Sequence, residues 1–482
     1  MGNIVRRLTA PFRLVPWPFW VLIVGAAAWF GRSWLLIAAT IIAFHPIPIP
    51  PLFQGEPSTV EEAQLQDLRH FAHVRRNERS WTPESRERFD TLVASLRERA
   101  GQMSEAEFML GLARAQATID NGHSNASATA MVRRFPHLSI RTAFFGDELR
   151  VLRATPEHQD LLGARVTHVG DLSVAEVLRH FRDAFGGTDS SFRVIAPLLL
   201  ETPAYLSAIG VAGSSVALRF ETADTTAIDR TLAAVDAQDI ETWTIPGDLP
   251  LFWRRDSEAL LSFTPSDQPL YLRETERGYW RTELPELDAT YINIRTNLDD
   301  ESGQSLRDFS AETVTALRGR APRAVIVDLR FNHGGDYTLT HALMSSLGDV
   351  VGEHGRVYII TSGNTFSAAI VSTAFAEEAA PDQTLIVGEE IGDRLQFWAE
   401  GWGYALPSSG FRARYATAFY DLQHGCTGLF RCYWGAFHLF PVIVSDLDVD
   451  IRAPLTFEAY AAGRDPALEA IQALEALHGE TQ

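Results

Sequence analysis

Lysine is missing from this chain of 482 residues, so all 42 of its basic residues are arginines. Any mechanism that uses a lysine is therefore excluded. The formal charge of -19 leaves no basic stripe of the kind that neutralises phosphates, so we expect no nucleic-acid partner. No cluster of potential ligands has the spacing of a metal site, and the sequence predicts neither a metal nor another cofactor.

Cysteine is nearly absent, since only Cys426 and Cys432 occur. They lie close enough in sequence for one disulfide to close a tight loop, although two unrelated thiols have equal support from the spacing alone. If this part of the chain is exported, the disulfide is favoured, because oxidising compartments let such bonds persist.

Long apolar runs are confined to the N-terminus, where residues 14–30 and 34–44 flank Arg32. A helix over residues 18–30 would be about 20 Å long, short of the hydrocarbon layer, whereas one over 18–44 would be about 40 Å and would bury Arg32. A tilted helix, a hairpin and an uncleaved signal-like anchor all remain open. We expect residues 1–55 to be a membrane anchor with a proline-rich spacer. The arginines before the first run favour a cytoplasmic N-terminus and, for one crossing, an extracytoplasmic (periplasmic) domain.

The rest of the chain divides into four predicted regions. Residues 56–137 show helical patterns, including a capping box at Ser104 and Glu107, and place His123 just past a helix end. Residues 138–225 alternate short strands with turns, and the more polar residues 226–268 are predicted to be a connecting segment. In residues 269–482, short apolar strands alternate with helical stretches, which favours a parallel sheet with crossover helices.

Three separated patches contain residues suited to acyl-transfer chemistry. The buried strand ending at Asp328 runs into the glycine pair Gly334 and Gly335, whose amides could face a ligand closely. Ser367 stands where a turn leads into a small-residue helix, a position suited to a nucleophile but also to a helix cap. His123 lies on a glycine-supported turn, as a general base could. A strand-end turn and an ordinary histidine are the plain alternatives, and His333 is a rival base.

Taken in order, these patches resemble the C-terminal processing (tail-specific) protease family, specifically its tricorn-like serine/histidine branch. The motifs that match are residues 120–123, 328–335 and 365–368, with a similar region at 387–410. The resemblance implies an α/β fold with a crotonase/ClpP-like catalytic core built on a parallel sheet, a PDZ-like β-rich module over 138–225, and an N-terminal helical region. A PDZ-like module would bind peptide ends by strand addition.

The resemblance also implies roles for individual residues. Ser367 would be the nucleophile and His123 its base, with the amides of Gly335 and Ala368 stabilising the oxyanion. The absence of lysine supports the serine/histidine branch independently. We expect Glu400 to orient the histidine, with Glu390 and Asp421 as alternatives. The supporting residues implied by the motifs are Asp120, Asp328, Arg330, Asn332 and Gly334.

The predicted function is a membrane-anchored serine peptidase that hydrolyses polypeptides through an acyl-enzyme. The alternative is a non-catalytic peptide- or lipid-binding protein on the same scaffold. Acyl-CoA chemistry, which a crotonase-like fold also allows, is disfavoured because no basic cluster awaits the nucleotide phosphates. The sequence leaves the substrate and the oligomeric state undetermined.

Overall fold

The computed structural model describes residue 44 and residues 55–235, 260–301, 303–428, 431–433 and 438–479. Its N-terminal part is helical, as predicted. Three helices follow one another here, and each begins at a serine or threonine whose side chain accepts a first-turn amide: α1 (Val60–Asn77), α2 (Pro83–Glu98) and α3 (Glu105–Ala117). The predicted capping box of Ser104 and Glu107 is present at α3.

A largely antiparallel sheet of eight strands follows. Its strands are β1 (His137–Leu138), β2 (Ile140–Phe145), β3 (Glu148–Ala154), β4 (Arg165–Val169), β5 (Leu172–Ser173), β6 (Ser215–Glu221), β7 (Ala227–Val235) and β8 (Leu261–Ser262). The main path runs β1-β7-β6-β4-β3-β2, with β5 beside β4 and β8 beside β3. Four helices accompany it: α4 (Ala128–Val132), α5 (Val174–Arg182), α6 (Asp189–Leu200) and α7 (Pro203–Ala208).

The predicted boundary of this region was wrong at its C-terminal side. The segment 226–268 was expected to be a connector, yet β7 pairs along its length with β6, from Ala227 to Ala233. Only Leu232 of this strand is buried, and so little burial made the segment look like a polar connector. The comparison of this region with a PDZ module stays a prediction.

The second sheet has six strands in the order β18-β13-β12-β11-β10-β9. The strands are β9 (Tyr279–Leu284), β10 (Ala289–Ile294), β11 (Ala324–Asp328), β12 (Arg356–Thr361), β13 (Thr384–Gly388) and β18 (Ile451–Arg452). All neighbours are parallel except β9, which runs antiparallel to β10 at the edge. This confirms the predicted parallel sheet of the C-terminal part.

Helices cover both faces of this sheet. Successive residues of a strand point to opposite faces, so neighbouring residues of β11 pack against different helices. Val325 and Val327 pack with α8 (Leu306–Arg320) and α11 (Ala368–Ala379), whereas Ile326 packs with α13 (Pro466–Gly479). After β11 the chain forms a short 3-10 turn (Tyr337–Leu339), α9 (His341–Met344) and α10 (Leu347–Val351). A further short helix, α12 (Phe457–Ala461), precedes α13.

Two small hairpin-like ladders lie after β13. The strand β14 (Gln396–Ala399) pairs with β17 (Ala418–Asp421), and β15 (Trp402–Ala405) pairs with β16 (Arg412–Tyr415). The predicted membrane anchor, residues 1–55, falls outside the described residues, apart from residues 44 and 55. Within the described part of the chain, no helix has the length and apolar character needed to cross a bilayer.

Candidate active site

Ser367 occupies the junction between β12 and α11, immediately before the first helical residue. Its φ is +55° and its ψ is -120°, a conformation that side-chain-bearing residues rarely adopt. Its side chain makes no capping hydrogen bond to the helix. The structure therefore does not support the alternative in which Ser367 only caps α11.

The predicted glycine pair lies directly against this serine. Gly334 has φ +106°, and a Cβ on it would stand 2.7 Å from Cβ of Ser367 and 2.9 Å from the amide nitrogen of Ala368. Only glycine permits so close an approach. The amides of Gly335 and Ala368 donate to no other described residue, and their predicted role in an oxyanion hole stays a prediction.

The side chains before the glycine pair hold this turn in place. Asn332 accepts a hydrogen bond from the amide of Gly334 through Oδ1 and donates through Nδ2 to Oδ1 of Asn297. The backbone carbonyl of Asn332 also accepts the amide of Phe366, which ties the glycine turn to the serine turn. Asn332 is thus a structural support for both halves of the site.

A buried ion network anchors the end of β11. Arg330 pairs with Asp328 at 2.9 Å and, through two parallel bonds, with Asp465. Although burial opposes its charge, the two carboxylates raise the pKa of Arg330 well above its ordinary value. Tyr291 donates its hydroxyl to Asp328. The predicted supporting residues Asp328 and Arg330 therefore hold the strand end, and the backbone carbonyl of Arg330 accepts the hydroxyl of Ser362 from the turn before Ser367.

His123 lies on a 3-10 turn, Gly122–Ser124. The residue before this turn, Asn121, binds it to β14. The side-chain amide of Asn121 donates to the carbonyl of Trp398 and accepts from its backbone amide, as a neighbouring strand would. Asp120, with φ +52°, forms an ion pair with Arg394. These contacts bring a turn from the helical region to β14 and to the segment that precedes it.

The imidazole of His123 is buried between two phenyl rings. Its centroid lies 4.4 Å from that of Phe366 and 5.0 Å from that of Phe397, and both pairs are stacked. Only 4% of the residue is exposed, and neither ring nitrogen makes a hydrogen bond. His123 therefore contacts the residue that precedes Ser367, but no hydrogen bond joins His123 and Ser367 in this structure.

The carboxylate beside His123 is Asp393, which corrects the prediction of Glu400. Nδ1 of His123 lies 3.3 Å from Oδ2 of Asp393, and both side chains are buried. Gly122 makes room for this contact, since a Cβ there would meet Oδ2 of Asp393 at 2.8 Å and the ring of Phe366 at 3.0 Å. The other oxygen of Asp393 accepts the amide of Arg394.

Glu400 is separated from the histidine by the stack of aromatic rings. It accepts the hydroxyl of Tyr420, whose ring stacks on Phe397 at 5.0 Å, and Phe397 in turn covers His123. The two alternatives also lie with other partners. Glu390 forms an ion pair with Arg452, and Asp421 pairs with His424.

The sequence contained a signal for Asp393 that was not used. It lies in the stretch 387–394, which already resembled the family, and it follows a strand end and a glycine, as functional residues of parallel sheets often do. Phe366 and Phe397 had no such signal, because apolar residues beside a motif normally belong to the core.

A cleft of about 580 Å³ opens beside the histidine. His123, Phe366 and His333 contribute to its wall, whereas Ser367 does not. The rival base His333 therefore lies at the same cleft, but it is exposed whereas His123 is buried. The described part of the chain contains no group of side chains that could hold a metal ion.

Cys426 and Cys432 form the predicted disulfide, with their Cα atoms 5.6 Å apart. Both residues are buried in the same hydrophobic cluster as α11. The bridge closes the loop after β17, and the burial of both cysteines packs this loop against the core that carries Ser367.

Comparison with solved structures finds this fold in mature CPAF. The complex of mature CPAF with lactacystin aligns with a TM-score of 0.57 at 13% identity, over 87% of this chain and 99% of that one. Another structure of mature CPAF aligns with a TM-score of 0.54 at 13% identity, over 86% and 97% of the two chains. At this identity the likeness shows a shared fold over most of both chains.

Other comparisons add less. The photosystem II D1 C-terminal processing protease aligns at 13% identity over 84% of this chain and 98% of its own, with a TM-score of 0.36 that is too low to establish a shared fold. No protein-family model matches the chain, and a search of the curated proteins finds no match either.

Proposed function

We propose that the protein is a membrane-anchored serine peptidase that hydrolyses polypeptides through an acyl-enzyme on Ser367. The observation that carries the proposal is the backbone of Ser367. A conformation of this kind costs about 1–3 kcal/mol and persists where it serves a function. At a strand-to-helix turn it presents the hydroxyl beside free amides, as a nucleophile elbow does.

The proposed reaction assigns one step to each group. His123 accepts the Ser367 proton while Oγ attacks the substrate carbonyl, and the amides of Gly335 and Ala368 stabilise the oxyanion. The peptide C–N bond then breaks as His123 delivers the proton to the leaving amine. Water, deprotonated by the same histidine, hydrolyses the ester. Asp393 takes the orienting role that the sequence assigned to Glu400.

The first step requires the imidazole of His123 to approach Ser367 more closely than it does here. Catalytic hydrogen bonds are often long without substrate and tighten when it binds. Phe366 directly precedes Ser367 in the chain, and its ring stacks on the imidazole of His123. A shift of this phenyl group would therefore accompany the approach of the imidazole to Ser367.

A second candidate function is a peptide- or lipid-binding protein on the same scaffold. The specific observation in its favour is the burial of both ring nitrogens of His123 between two phenyl rings. Such packing also suits a histidine with only a structural role.

Covalent labelling distinguishes the two functions. The full-length protein in detergent is treated with a tagged fluorophosphonate and the adduct is mapped by mass spectrometry. A peptidase is expected to give an adduct on Ser367 that is lost in Ser367→Ala and His123→Ala but kept in Ser207→Ala, which removes an exposed serine of α7. Folded protein without an adduct would favour the binding function. Lactacystin, which is found in complex with CPAF, is a second probe.

We further propose that residues 1–55 anchor the protein and that the site faces the extracytoplasmic side. The disulfide between Cys426 and Cys432 supports this orientation, because such bonds persist in oxidising compartments. Protease digestion of intact and of inverted membrane vesicles tests it. Digestion of residues 56–482 in inverted vesicles alone would place the domain in the cytoplasm and refute the orientation.

A further inference from the structure

The cleft beside His123 differs in charge from the protein as a whole. The chain has 61 acidic residues against 42 basic ones, yet no aspartate or glutamate contributes to the described wall of this cleft. Two arginines do, Arg412 and Arg414, together with His333. In a protein of this net charge, a cleft wall with two arginines and no carboxylate favours a negatively charged ligand.

Strand geometry directs both arginines to the same side. They occupy alternate positions of β16, where Ala413 and Tyr415 point inward and are buried. The residue opposite Arg414 in β15 is Gly403, which also lines the cleft and leaves the space beside the guanidinium open. Residues two apart on one strand lie about 7 Å from each other, so the two cations flank one region of the cleft.

Neither guanidinium group is neutralised within the described structure. The side chains of Arg412 and Arg414 form no ion pair and no hydrogen bond with another described residue, unlike Arg330, which is held by two aspartates. The carboxylates that act on Arg414 electrostatically are Glu400 and Glu78. Glu78 is deeply buried, and its carboxylate already accepts hydrogen bonds from the amides of Ala416 and Ser80 and from the hydroxyl of Ser124. The arginines therefore retain positive charge toward the cleft.

We propose that Arg412 and Arg414 bind a carboxylate of the polypeptide substrate and so determine specificity. This inference rests on the proposed peptidase function and names its substrate class. Guanidinium groups bind carboxylates through two parallel, charge-assisted hydrogen bonds. The carboxylate belongs either to an acidic side chain or to the substrate's C-terminus, since both present the same chemistry.

The test uses matched peptides and a matched control variant. Cleavage sites are first mapped in a mixed peptide library, and one cleaved sequence is then made as a fluorescent substrate in three forms: with glutamate, with glutamine in its place, and with an amidated C-terminus. Wild type is compared with the double variant Arg412→Gln/Arg414→Gln. The control is Arg307→Gln/Arg318→Gln, which removes two exposed arginines of α8. Circular dichroism verifies that each variant is folded, and single variants replace any that is not.

We expect wild type and control to prefer the carboxylate form by about 10- to 100-fold in kcat/KM, and the double variant to lose this preference. Loss of the glutamate preference identifies an acidic side chain, whereas loss of the amidation effect identifies the C-terminus. A preference that is unchanged in the double variant, or absent from wild type, would overturn the inference. Because the readout is a ratio between substrates, a general loss of activity does not mimic it.

A binding arm separates this inference from the proposed function. Fluorescein-labelled forms of the same three peptides are titrated into the Ser367→Ala protein and followed by anisotropy, which needs no hydrolysis. If the fluorophosphonate labels no form of the protein and no form cleaves the peptides, the peptidase proposal fails. Carboxylate-dependent binding that requires Arg412 and Arg414 would still support the carboxylate site. Equal binding of all three peptides would refute it. Added salt should weaken the preference, since the cleft is open to solvent.

Discussion

Replacing Asp393 by asparagine should remove most of the activity, because this residue is the carboxylate that contacts His123. The asparagine can keep Oδ1 as acceptor for the amide of Arg394. Its Nδ2 then faces Nδ1 of His123, which must become the acceptor and place the ring proton on Nε2. With its proton on Nε2, the imidazole cannot take the proton of Ser367.

The magnitude follows from the observed separation. Unit charges 3.3 Å apart at an effective dielectric constant of about 20 attract each other by about 5 kcal/mol. Loss of that stabilisation for the imidazolium formed during attack corresponds to a fall of about 10³- to 10⁴-fold in kcat/KM. The tautomer argument gives a similar size, since the same change in a Ser-His-Asp triad costs about 10⁴-fold.

The matched control is Glu400→Gln, at the residue favoured by the sequence. The introduced glutamine would still accept the hydroxyl of Tyr420, so we expect a change of less than about 10-fold. The rate of fluorophosphonate labelling and of peptide hydrolysis is measured for both variants at neutral pH, with thermal unfolding as the check on folding. A nearly unaffected Asp393→Asn together with an inactive Glu400→Gln would refute the assignment drawn from the structure and restore the original one.

Three further predictions concern stability. Ser367→Gly should be about 1 kcal/mol more stable toward urea than Ser367→Ala, because glycine tolerates φ +55° and alanine does not; equal stabilities would argue against strain at this turn. Gly334→Ala should lose about 2–4 kcal/mol and all labelling, because its Cβ would meet Ser367, whereas Gly319→Ala in α8 has open space and should be neutral or stabilising. Burial lowers the pKa of His137 to about 4, below its unfolded value near 6.5, so its contribution to stability is present above pH 6.5 and is lost as the pH falls toward 4. The free energy of unfolding is measured with urea at both ends of this window. Between them, His137→Asn should lose up to about 3 kcal/mol less than wild type, whereas the exposed-site variant His180→Asn should behave as wild type.

Local patterns predicted much of the fold from the sequence. Apolar strands and capping signals act over a few residues, so β11 ends at Asp328 and α3 begins after Ser104, as the sequence predicted. The glycine pair and Ser367 could be recognised for the same reason, since each belongs to a short motif with its own backbone requirement. The local pattern was not enough for β7, in which a single residue is buried.

The sequence by itself determined which residue types were available: no lysine, one serine at a strand-to-helix turn, and one histidine after a helix end in a matching motif. Only the tertiary structure decided their neighbours. Asp393 rather than Glu400 reached His123 because the turn at Gly122 leaves space for it, and the stack of Phe397 and Tyr420 kept Glu400 on the far side. Such choices depend on packing between segments hundreds of residues apart, and no local pattern encodes them.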